Sequence, residues 1–372
     1  MAKKYRLIWL CPEFTPYHEV LFRVLSSDPE ISLKVEVMMG KTQTHPYELS
    51  QNRPYEWGIA GQNKRVDYKL IKSVLKEQDS WVVVASYLRP TLVATMNALA
   101  NNKRRFIYFT DTPLPQDIEW NSGMPCRRSM IRRLARRIRL QWIFKHAYRV
   151  FATGEPGKDA VVKLGCPSEK AVSFPFWVDI NSLHRVEKPS KENKIFISVG
   201  QLIYRKGYDI AIKAFAKAQL NGSLNGIRFQ IIGDGPDRHK LEQLVKENNL
   251  QEYILFSGWL QPPEVAEALR RADIFVHPAR WDPFPVVVLE AMATGLPVLG
   301  SDASGSVLDR VEDGVSGFIH RTGDSVQLAE HLMKICSDSD IASSMGAAAR
   351  YKAEEWPPER GVEIIKNIMF NE

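Results

Sequence analysis

Cysteine is scarce in this sequence, which has four in 372 residues. The four are scattered, none belongs to a Cys-x-x-Cys pair, and none has a histidine at the spacing of a metal site. This usage is typical of reduced thiols in a cytoplasmic protein and argues against a zinc motif. We therefore predict a cytoplasmic protein without a metal site.

Long apolar runs are also missing. No window approaches the roughly 18 consecutive apolar residues of a membrane-spanning helix. The apolar segment Leu7–Cys11 is too short for the core of a signal peptide. The turn that follows it contains no glycine-rich phosphate loop, which argues against a dinucleotide-binding dehydrogenase.

The composition is that of a folded globular protein, with 44% hydrophobic and 25% charged residues. A chain of 372 residues is too long for one ordinary core and predicts two domains. The net charge of +7 favours acidic partners, whether phosphorylated ligands, anionic membrane or nucleic acid. No recognition motif accompanies the charge, so we predict no nucleic-acid partner.

Short apolar strands alternate with amphipathic helices along the chain, which predicts an α/β fold with doubly wound sheets. The segment 181–193 is polar and has no core pattern, so we predict a linker there. The predicted first domain covers residues 1–180 and the second covers 194–345. Residues 346–372 are predicted to form a C-terminal helical segment.

One stretch near the end of the second domain combines two carboxylates with a dense apolar run. We predict a helix from Pro285 to Thr294, because proline suits a first helical position and Gly295 suits the left-handed residue after a helix. The run 286–289 (Val-Val-Val-Leu) is also compatible with a strand, and propensity alone leaves both interpretations open.

The two carboxylates, Asp282 and Glu290, are eight residues apart. In a continuous helix this spacing corresponds to roughly 12 Å, whereas the carboxylates of a retaining glycosidase are about 5 Å apart. The pair is therefore better suited to hold two parts of one elongated ligand, with the helix N-terminus offering N–H groups to an anion between them. The alternative is a surface Asp and a Glu that forms a salt bridge with a neighbouring arginine.

Two other turns that follow predicted strands contain candidate ligand-binding residues. Arg205 and Lys206 lie in a turn after a predicted strand, where such cations can bind phosphates. Gly233 and Gly235 follow the next strand and permit a sharp turn or a close approach of backbone to a ligand. The alternatives are a solvated side chain for Arg205 and a helix cap for Asp234.

In the first domain, His18 and Asp111 follow predicted strands at the sheet edge where ligands bind in doubly wound folds. We treat both as candidate acceptor-site residues. His18 is equally well interpreted as a histidine that bonds to the local backbone at a helix start. Asp111 is equally compatible with an Asx turn before Pro113.

The most basic stretch, Arg127–Trp142, is predicted to be a helix with an apolar stripe flanked by seven arginines. Such a helix suits the surface of an anionic membrane. The alternative is a helix that packs its apolar stripe on the core and leaves its basic side in solvent.

The stretch 282–298 resembles the E-x7-E signature of retaining GT-B glycosyltransferases of family 4, with Asp282 in place of the first Glu and Pro285 in place of a Gly. The turn after the strand at 195–199 resembles the GR-L-x-x-x-KG pattern of the same family. Lys206 matches its Lys, and Gln201 stands where its Arg is usual. The segment Gly233-Asp-Gly-Pro236 matches a further motif. The resemblance covers the whole second domain strongly and the first domain weakly.

The resemblance implies a GT-B fold, in which two Rossmann-like domains face across a cleft and a C-terminal helix crosses back to the first. It implies transfer of a sugar from a nucleoside-diphosphate sugar to a glycan or lipid-linked acceptor with retention, in cell-envelope polysaccharide or glycolipid synthesis. It implies no cofactor and no required metal. Other enzymes on this fold are phosphorylases and nucleotide-sugar epimerases, and a non-catalytic binding protein is a further alternative.

By the same resemblance, Lys206 and Arg205 hold the donor diphosphate, Glu290 the ribose, and Asp282 the donor sugar. The first domain binds the acceptor. The remaining residues expected at the donor site are Gly200, Gln201, Gly233, Asp234, Gly235, Trp259, Phe284, Pro285, Val286 and Val287. For Trp259, a place in the core is the alternative to a wall for the nucleotide base.

Overall fold

The computed structural model describes residues 5–39, 52–60, 66–111, 130–183, 194–220, 222 and 226–370. These residues form two compact units. The first unit contains the described residues up to 111, those from 130 to Trp177, and those from Pro358 onward. The second unit contains the described residues of Val178–Pro357. The predicted boundary at 345/346 falls inside a helix of the second unit.

The first unit is built on a seven-stranded parallel sheet with the order β3-β2-β1-β4-β5-β6-β7. Its strands are β1 (Tyr5–Glu13), β2 (Ile31–Met39), β3 (Glu56–Ile59), β4 (Ser80–Ala85), β5 (Ile107–Thr110), β6 (Arg149–Ala152) and β7 (Ala171–Ser173). Its helices are α1 (Pro16–Ser27), α2 (Tyr68–Lys76), α3 (Pro90–Asn101), α4 (Met130–His146), α5 (Gly154–Lys163) and, at the end of the chain, α13 (Glu359–Phe370).

The second unit repeats this plan with a six-stranded parallel sheet of order β10-β9-β8-β11-β12-β13. Its strands are β8 (Lys194–Val199), β9 (Ile227–Ile232), β10 (Ile254–Gly258), β11 (Ile274–His277), β12 (Val298–Ser301) and β13 (Gly317–His320). Its helices are α6 (Tyr208–Leu220), α7 (Arg238–Glu247), α8 (Pro262–Arg271), α9 (Val286–Ala293), α10 (Gly305–Arg310), α11 (Ser325–Ser337) and α12 (Ser339–Glu354). Short 3₁₀ turns lie at Ile180–Ser182 and Tyr204–Lys206.

Both sheets have the strand order of a doubly wound fold, in which the chain runs to one edge, returns to the centre and continues to the other edge. The prediction of two Rossmann-like α/β domains is therefore confirmed. The strands of such sheets are buried on both faces, which explains the continuous apolar runs in the sequence. In the second unit, neighbouring residues of β8 point to opposite faces: Phe196 packs in one core cluster and Ile197 in another.

The last helix, α13, packs within the first unit against α1. Gly361 permits this approach, since a Cβ there would lie 2.8 Å from Leu21 Cδ1 and 2.9 Å from the Trp177 ring. Lys366 Nζ also lies 3.1 Å from Asp28 Oδ2. The contact is therefore both apolar and ionic.

The apolar run after Asp282 is helical: α9 begins at Val286 and ends at Ala293. Its packing outweighs the strand propensity of three consecutive valines, because five of its eight residues are buried. Pro285 precedes the helix as its cap residue, so the prediction that it occupies the first helical position was wrong by one residue. Gly295 has φ +80°, as expected for the left-handed residue after a helix.

No helix among the described residues is long and apolar enough to cross a membrane.

Candidate functional site

The candidate site of the second unit lies where β8 and β11 end side by side. The two strands are paired, and the chain leaves them toward opposite edges of the sheet, which is the point where doubly wound folds bind ligands. The turn after β8 carries Arg205 and Lys206, and the loop after β11 carries Asp282. The structure thus brings together residues that are about 76 positions apart in the chain.

Asp282 is the centre of a buried ionic cluster. Its carboxylate is 5% exposed and accepts from Lys206 Nζ at 2.5 Å and from Arg205 Nη1 at 3.2 Å. The ring of His277 lies on the same oxygen as Lys206, with 3.3 Å between Nε2 and Oδ2. One carboxylate therefore holds two cations in place, and both cationic side chains are 12% exposed.

The charges of this cluster follow from its geometry. Burial alone would raise the pKa of Asp282, but Lys206 and Arg205 outweigh it and hold that pKa well below its usual value. Burial lowers the pKa of Lys206, while the charge of Asp282 opposes the change. Burial also lowers the pKa of His277. At neutral pH Asp282 is therefore ionised and His277 is neutral, and the cluster places two basic side chains where an anion can bind.

Backbone hydrogen bonds fix the position of Asp282. Its N–H donates to the carbonyl of Ala303 at 3.0 Å, and its own carbonyl accepts from the N–H of Gly305 at 2.9 Å. The loop is also tied to the turn after β8, because the N–H of Arg280 donates to the carbonyl of Arg205 at 2.8 Å. The guanidinium of Arg280 binds both oxygens of Asp209, at 2.6 and 2.7 Å. The loop that carries Asp282 is therefore bonded both to the segment after β12 and to the turn after β8.

The glycines expected at the donor site bring two loops into contact. Gly233 has φ +129°, and a Cβ there would lie 2.0 Å from the carbonyl oxygen of Gly200. A Cβ at Gly235 would lie 2.5 Å from the carbonyl oxygen of Leu202. Any side chain at these positions would push apart the loops that follow β8 and β9. Their contact with a ligand remains a prediction.

Three further donor-site candidates, Asp234, Gln201 and Trp259, lie outside the ionic cluster of Asp282. Asp234 accepts from the N–H of Gly235 at 2.7 Å and forms an ion pair with Arg238 at 3.3 Å. It does not cap α7, whose cap position is occupied by Asp237. Gln201 and Trp259 are both half-buried, just beyond the ends of β8 and β10.

At the start of α9, Phe284 is buried, and Val286 and Val287 form the first turn, where backbone N–H groups lack helical partners. Glu290 lies one turn further on and is half-buried. No described residue donates a hydrogen bond to its carboxylate, so the alternative of a Glu290–arginine salt bridge was wrong for the described part of the chain. Burial raises the pKa of Glu290 to about 7.

In the first unit, His18 lies within the first turn of α1 rather than in the turn before it. Its Nδ1 is 2.9 Å from the hydroxyl of Thr15, a side-chain partner rather than the backbone partner of the alternative interpretation. Burial lowers the pKa of His18 to about 4, so the ring is neutral at pH 7. Asp111 follows β5 and accepts from the hydroxyl of Thr153 at 2.8 Å. Its proposed turn partner, Pro113, lies outside the described residues.

The sequence analysis did not select His277, which contacts Asp282, or Asp209, which holds Arg280. His277 is an ordinary residue at the end of a strand, and its role appears only once β8 and β11 are side by side. Asp209 is the second residue of α6 and carries no motif of its own. Within the described residues, no group of three His, Cys, Asp or Glu side chains is placed to hold a metal ion.

A buried histidine at the same edge of the sheet predicts a dependence of stability on pH. His320, at the end of β13, is 1% exposed, and burial, with the nearby His331 and His277, lowers its pKa to about 4. Asp302 and Asp324 oppose this change. Because the folded pKa is below the unfolded value of 6.5, protonation favours the unfolded chain as the pH falls from 6.5 toward 4.

We expect the free energy of unfolding to fall by about 2 kcal/mol between pH 7.5 and 5 through His320. In His320→Gln this part of the pH dependence should disappear, as measured by urea denaturation at each pH. His239→Gln, at an exposed histidine of α7, is the matched control and should keep the slope of the wild type. Equal slopes for all three proteins would contradict the assignment.

Comparison with known proteins adds to this geometry. Residues 179–352 match the model of the family described as "Glycosyl transferases group 1". The protein WcaL of Salmonella typhimurium, named for colanic acid biosynthesis, is 32% identical over 52% of this chain and 48% of its own length. The N-acetyl-alpha-D-glucosaminyl L-malate synthase of Bacillus anthracis is 27% identical over 52% of this chain and 49% of its own. The chain thus spans about half the length of the curated relatives it matches.

Among solved structures, Anabaena Alr3699/HepE in complex with UDP superposes with a TM-score of 0.75 at 17% identity, covering 99% of this chain and 100% of the other. At that identity the likeness supports the fold alone. It agrees with the two doubly wound sheets described above.

Proposed function

We propose that the chain is a retaining glycosyltransferase of family 4, because residues 179–352 match the model of the family described as "Glycosyl transferases group 1". It transfers a sugar from a nucleoside-diphosphate sugar to a glycan or lipid-linked acceptor, in the synthesis of cell-envelope polysaccharide or glycolipid. We place it in the cytoplasm and propose that it needs no metal ion. The relatives named for polysaccharide and glycoside synthesis support the substrate class.

The observation that carries this proposal is the cluster of Arg205, Lys206 and Asp282 at the ends of β8 and β11. During transfer, the bond between the sugar C1 and the diphosphate oxygen breaks, and negative charge develops on the diphosphate. Two fixed cations in a largely buried site stabilise that charge. The acceptor hydroxyl forms the new bond to C1, and its proton passes to the departing diphosphate.

The other predicted residues complete the proposed site. Glu290 accepts hydrogen bonds from the ribose hydroxyls, and the N–H groups of the first turn of α9 face the diphosphate and sugar. Gln201 and Trp259 line the side of the nucleotide. In the first unit, we assign His18 and Asp111 to the acceptor, where a neutral imidazole and a carboxylate can each accept a hydrogen bond from a hydroxyl.

The proposal is tested by a thermal-shift screen against UDP, GDP, ADP and their sugar conjugates, with and without EDTA. We expect one base to raise the melting temperature, EDTA to leave the shift unchanged, and Lys206→Ala to lose it. Lys213→Ala, at an exposed lysine of α6, should keep the full shift. A shift that requires added divalent metal would contradict the metal-free mechanism. Binding without turnover against a broad acceptor panel would indicate a non-catalytic protein.

A further inference from the structure

Helix α4 exposes the apolar residues of its N-terminal half. Leu140, Ile143 and Phe144 are buried and anchor the C-terminal half of the helix. In the N-terminal half, the apolar side chains that the sequence arranges in one stripe are exposed. Their exposed fractions are 84% for Met130, 79% for Ile131, 57% for Leu134 and 58% for Ile138.

The residues on the inward side of the N-terminal half are basic. At 100° per residue, Arg133 and Arg136 share the direction of the buried Leu140, and both are half-buried. This is the reverse of a helix that packs its apolar stripe on a core. The alternative of a core-facing stripe was therefore wrong for the N-terminal half of this helix, whereas Trp142 near its C-terminal end packs against the core of the first unit.

The exposed apolar surface is concentrated in this one element. Every other described helix or strand exposes at most one large hydrophobic side chain, whereas α4 exposes four within nine residues. Single exposed apolar side chains are normal on protein surfaces, but a contiguous group indicates a contact surface. The surface formed by Met130, Ile131, Leu134 and Ile138 is called the α4 surface below.

The charge beside the α4 surface is of one sign. The helix contains five arginines and one lysine, and its sequence, MIRRLARRIRLQWIFKH, has no Asp or Glu. Arg137 borders the α4 surface on one side and Arg139 on the other, and both are exposed. A second copy of the chain would bring arginines against arginines, which disfavours self-association through this surface. Exposed apolar side chains flanked by cations match the boundary between lipid headgroups and acyl chains in an anionic bilayer.

We propose that the α4 surface binds an anionic lipid bilayer, with the helix lying in the plane of the interface. A helix of 17 residues extends over about 25 Å, which places four apolar side chains and both flanking arginines on one lipid surface. This function is separate from donor binding, because it uses none of the residues of the second unit.

The test is co-sedimentation of the full chain with vesicles of phosphatidylcholine and with vesicles that also contain phosphatidylglycerol. We expect binding only to the anionic vesicles, weakened by salt. Arg137→Gln/Arg139→Gln should weaken it about 30-fold, because each cation contributes about a fivefold effect. Ile131→Ser/Leu134→Ser should weaken it more than tenfold, since both apolar anchors are lost.

Matched control variants test whether vesicle binding depends on the α4 surface or on exposed charge and hydrophobicity anywhere on the protein. Leu255→Ser/Val326→Ser removes exposed apolar side chains of the second unit, and Lys69→Gln/Lys72→Gln removes exposed cations of α2. Both should bind vesicles within twofold of the wild type. All variants should keep the thermal shift with nucleotide, so a failure here is distinct from a failure of the proposed function.

Three results would overturn the proposal. The first is a wild-type protein that does not sediment with anionic vesicles. The second is equal sedimentation with both kinds of vesicle, which would remove the role of the arginines. The third is concentration-dependent self-association that Ile131→Ser/Leu134→Ser abolishes without any vesicle binding, which would assign the surface to a second copy of the chain.

Discussion

Replacement of Asp282 by Asn is expected to lower the free energy of unfolding and, at the same time, to tighten the binding of UDP. The carboxylate is 5% exposed and holds two cationic side chains that are each 12% exposed. Its removal leaves these charges without their partner, and breaking a buried ion pair in this way costs about 3 kcal/mol. Urea denaturation without nucleotide measures this loss.

The expected gain in UDP affinity also results from the loss of the Asp282 carboxylate beside the two cations. If a diphosphate binds Lys206 and Arg205 as proposed, it shares them with Asp282 in the wild type, whereas in Asp282→Asn no carboxylate competes for them. We expect UDP to bind about tenfold more tightly. At an effective dielectric constant of 20, the repulsion between a nearby carboxylate and the diphosphate exceeds the roughly 1.4 kcal/mol that corresponds to a factor of ten. Calorimetric titration measures the dissociation constant.

Sugar transfer should respond in the opposite direction. If Asp282 holds the donor sugar, its loss should lower the rate of transfer by about 100-fold or more, although the leaving group is bound more tightly. Glu354→Gln is the control: it neutralises a carboxylate paired with Arg350 at the surface of the same unit, and it should change each quantity little. Transfer within threefold of the wild type in Asp282→Asn would refute the role in sugar binding.

The sequence was sufficient to predict the two doubly wound sheets, because buried parallel strands leave continuous apolar runs that helical patterns separate. It also placed Arg205 and Lys206 in a turn after a strand, and Asp282 just before a helix. That these three form one ionic cluster follows from the pairing of β8 with β11, which a local pattern does not contain. His277 was missed for the same reason.

Helix boundaries and faces were predicted less well than the strands. His18 belongs to the first turn of α1, because the helix begins at Pro16, whereas the sequence indicated only that this residue follows the first strand. For α4, the apolar stripe was identified correctly, but the pattern alone did not decide whether it faces the core. The structure answers this through Leu140, Ile143 and Phe144, which lie outside the stripe and anchor the helix. Because α4 has apolar residues on two different faces, its sequence pattern is compatible with either face packing on the core.

Replacement of Glu290 by Gln is expected to stabilise the fold at alkaline pH and to weaken the binding of nucleotide. The folded pKa of Glu290 is about 7, above its ordinary value of 4.5, because burial disfavours the carboxylate. An acid with a raised folded pKa destabilises the fold as the pH rises from 4.5 to 7. Allowing for its partial exposure, we expect Glu290→Gln to be more stable than the wild type by about 1–2 kcal/mol at pH 8, with no such advantage at pH 4.5.

The same ionisation should control the affinity for a nucleotide sugar. If ribose hydroxyls donate to the carboxylate as proposed, binding requires the ionised form, which is about a tenth of the protein at pH 6 and about nine tenths at pH 8. The dissociation constant of UDP-glucose, whose diphosphate does not titrate in this range, should therefore rise about tenfold from pH 8 to pH 6 in the wild type. In Glu290→Gln it should be about tenfold higher than in the wild type at pH 8 and independent of pH.

A change in the ligand identifies the group that Glu290 binds. If it holds the ribose, 2′-deoxy-UDP should bind more weakly than UDP to the wild type and nearly as well as UDP to Glu290→Gln, because the interaction is already lost in the variant. Glu330→Gln, at an exposed residue of α11, should behave as the wild type in every assay. Equal discrimination between the two nucleotides by wild type and Glu290→Gln would show that the ribose is held elsewhere. A wild-type stability that does not fall between pH 4.5 and 7 relative to Glu290→Gln would show that the carboxylate is solvated rather than buried.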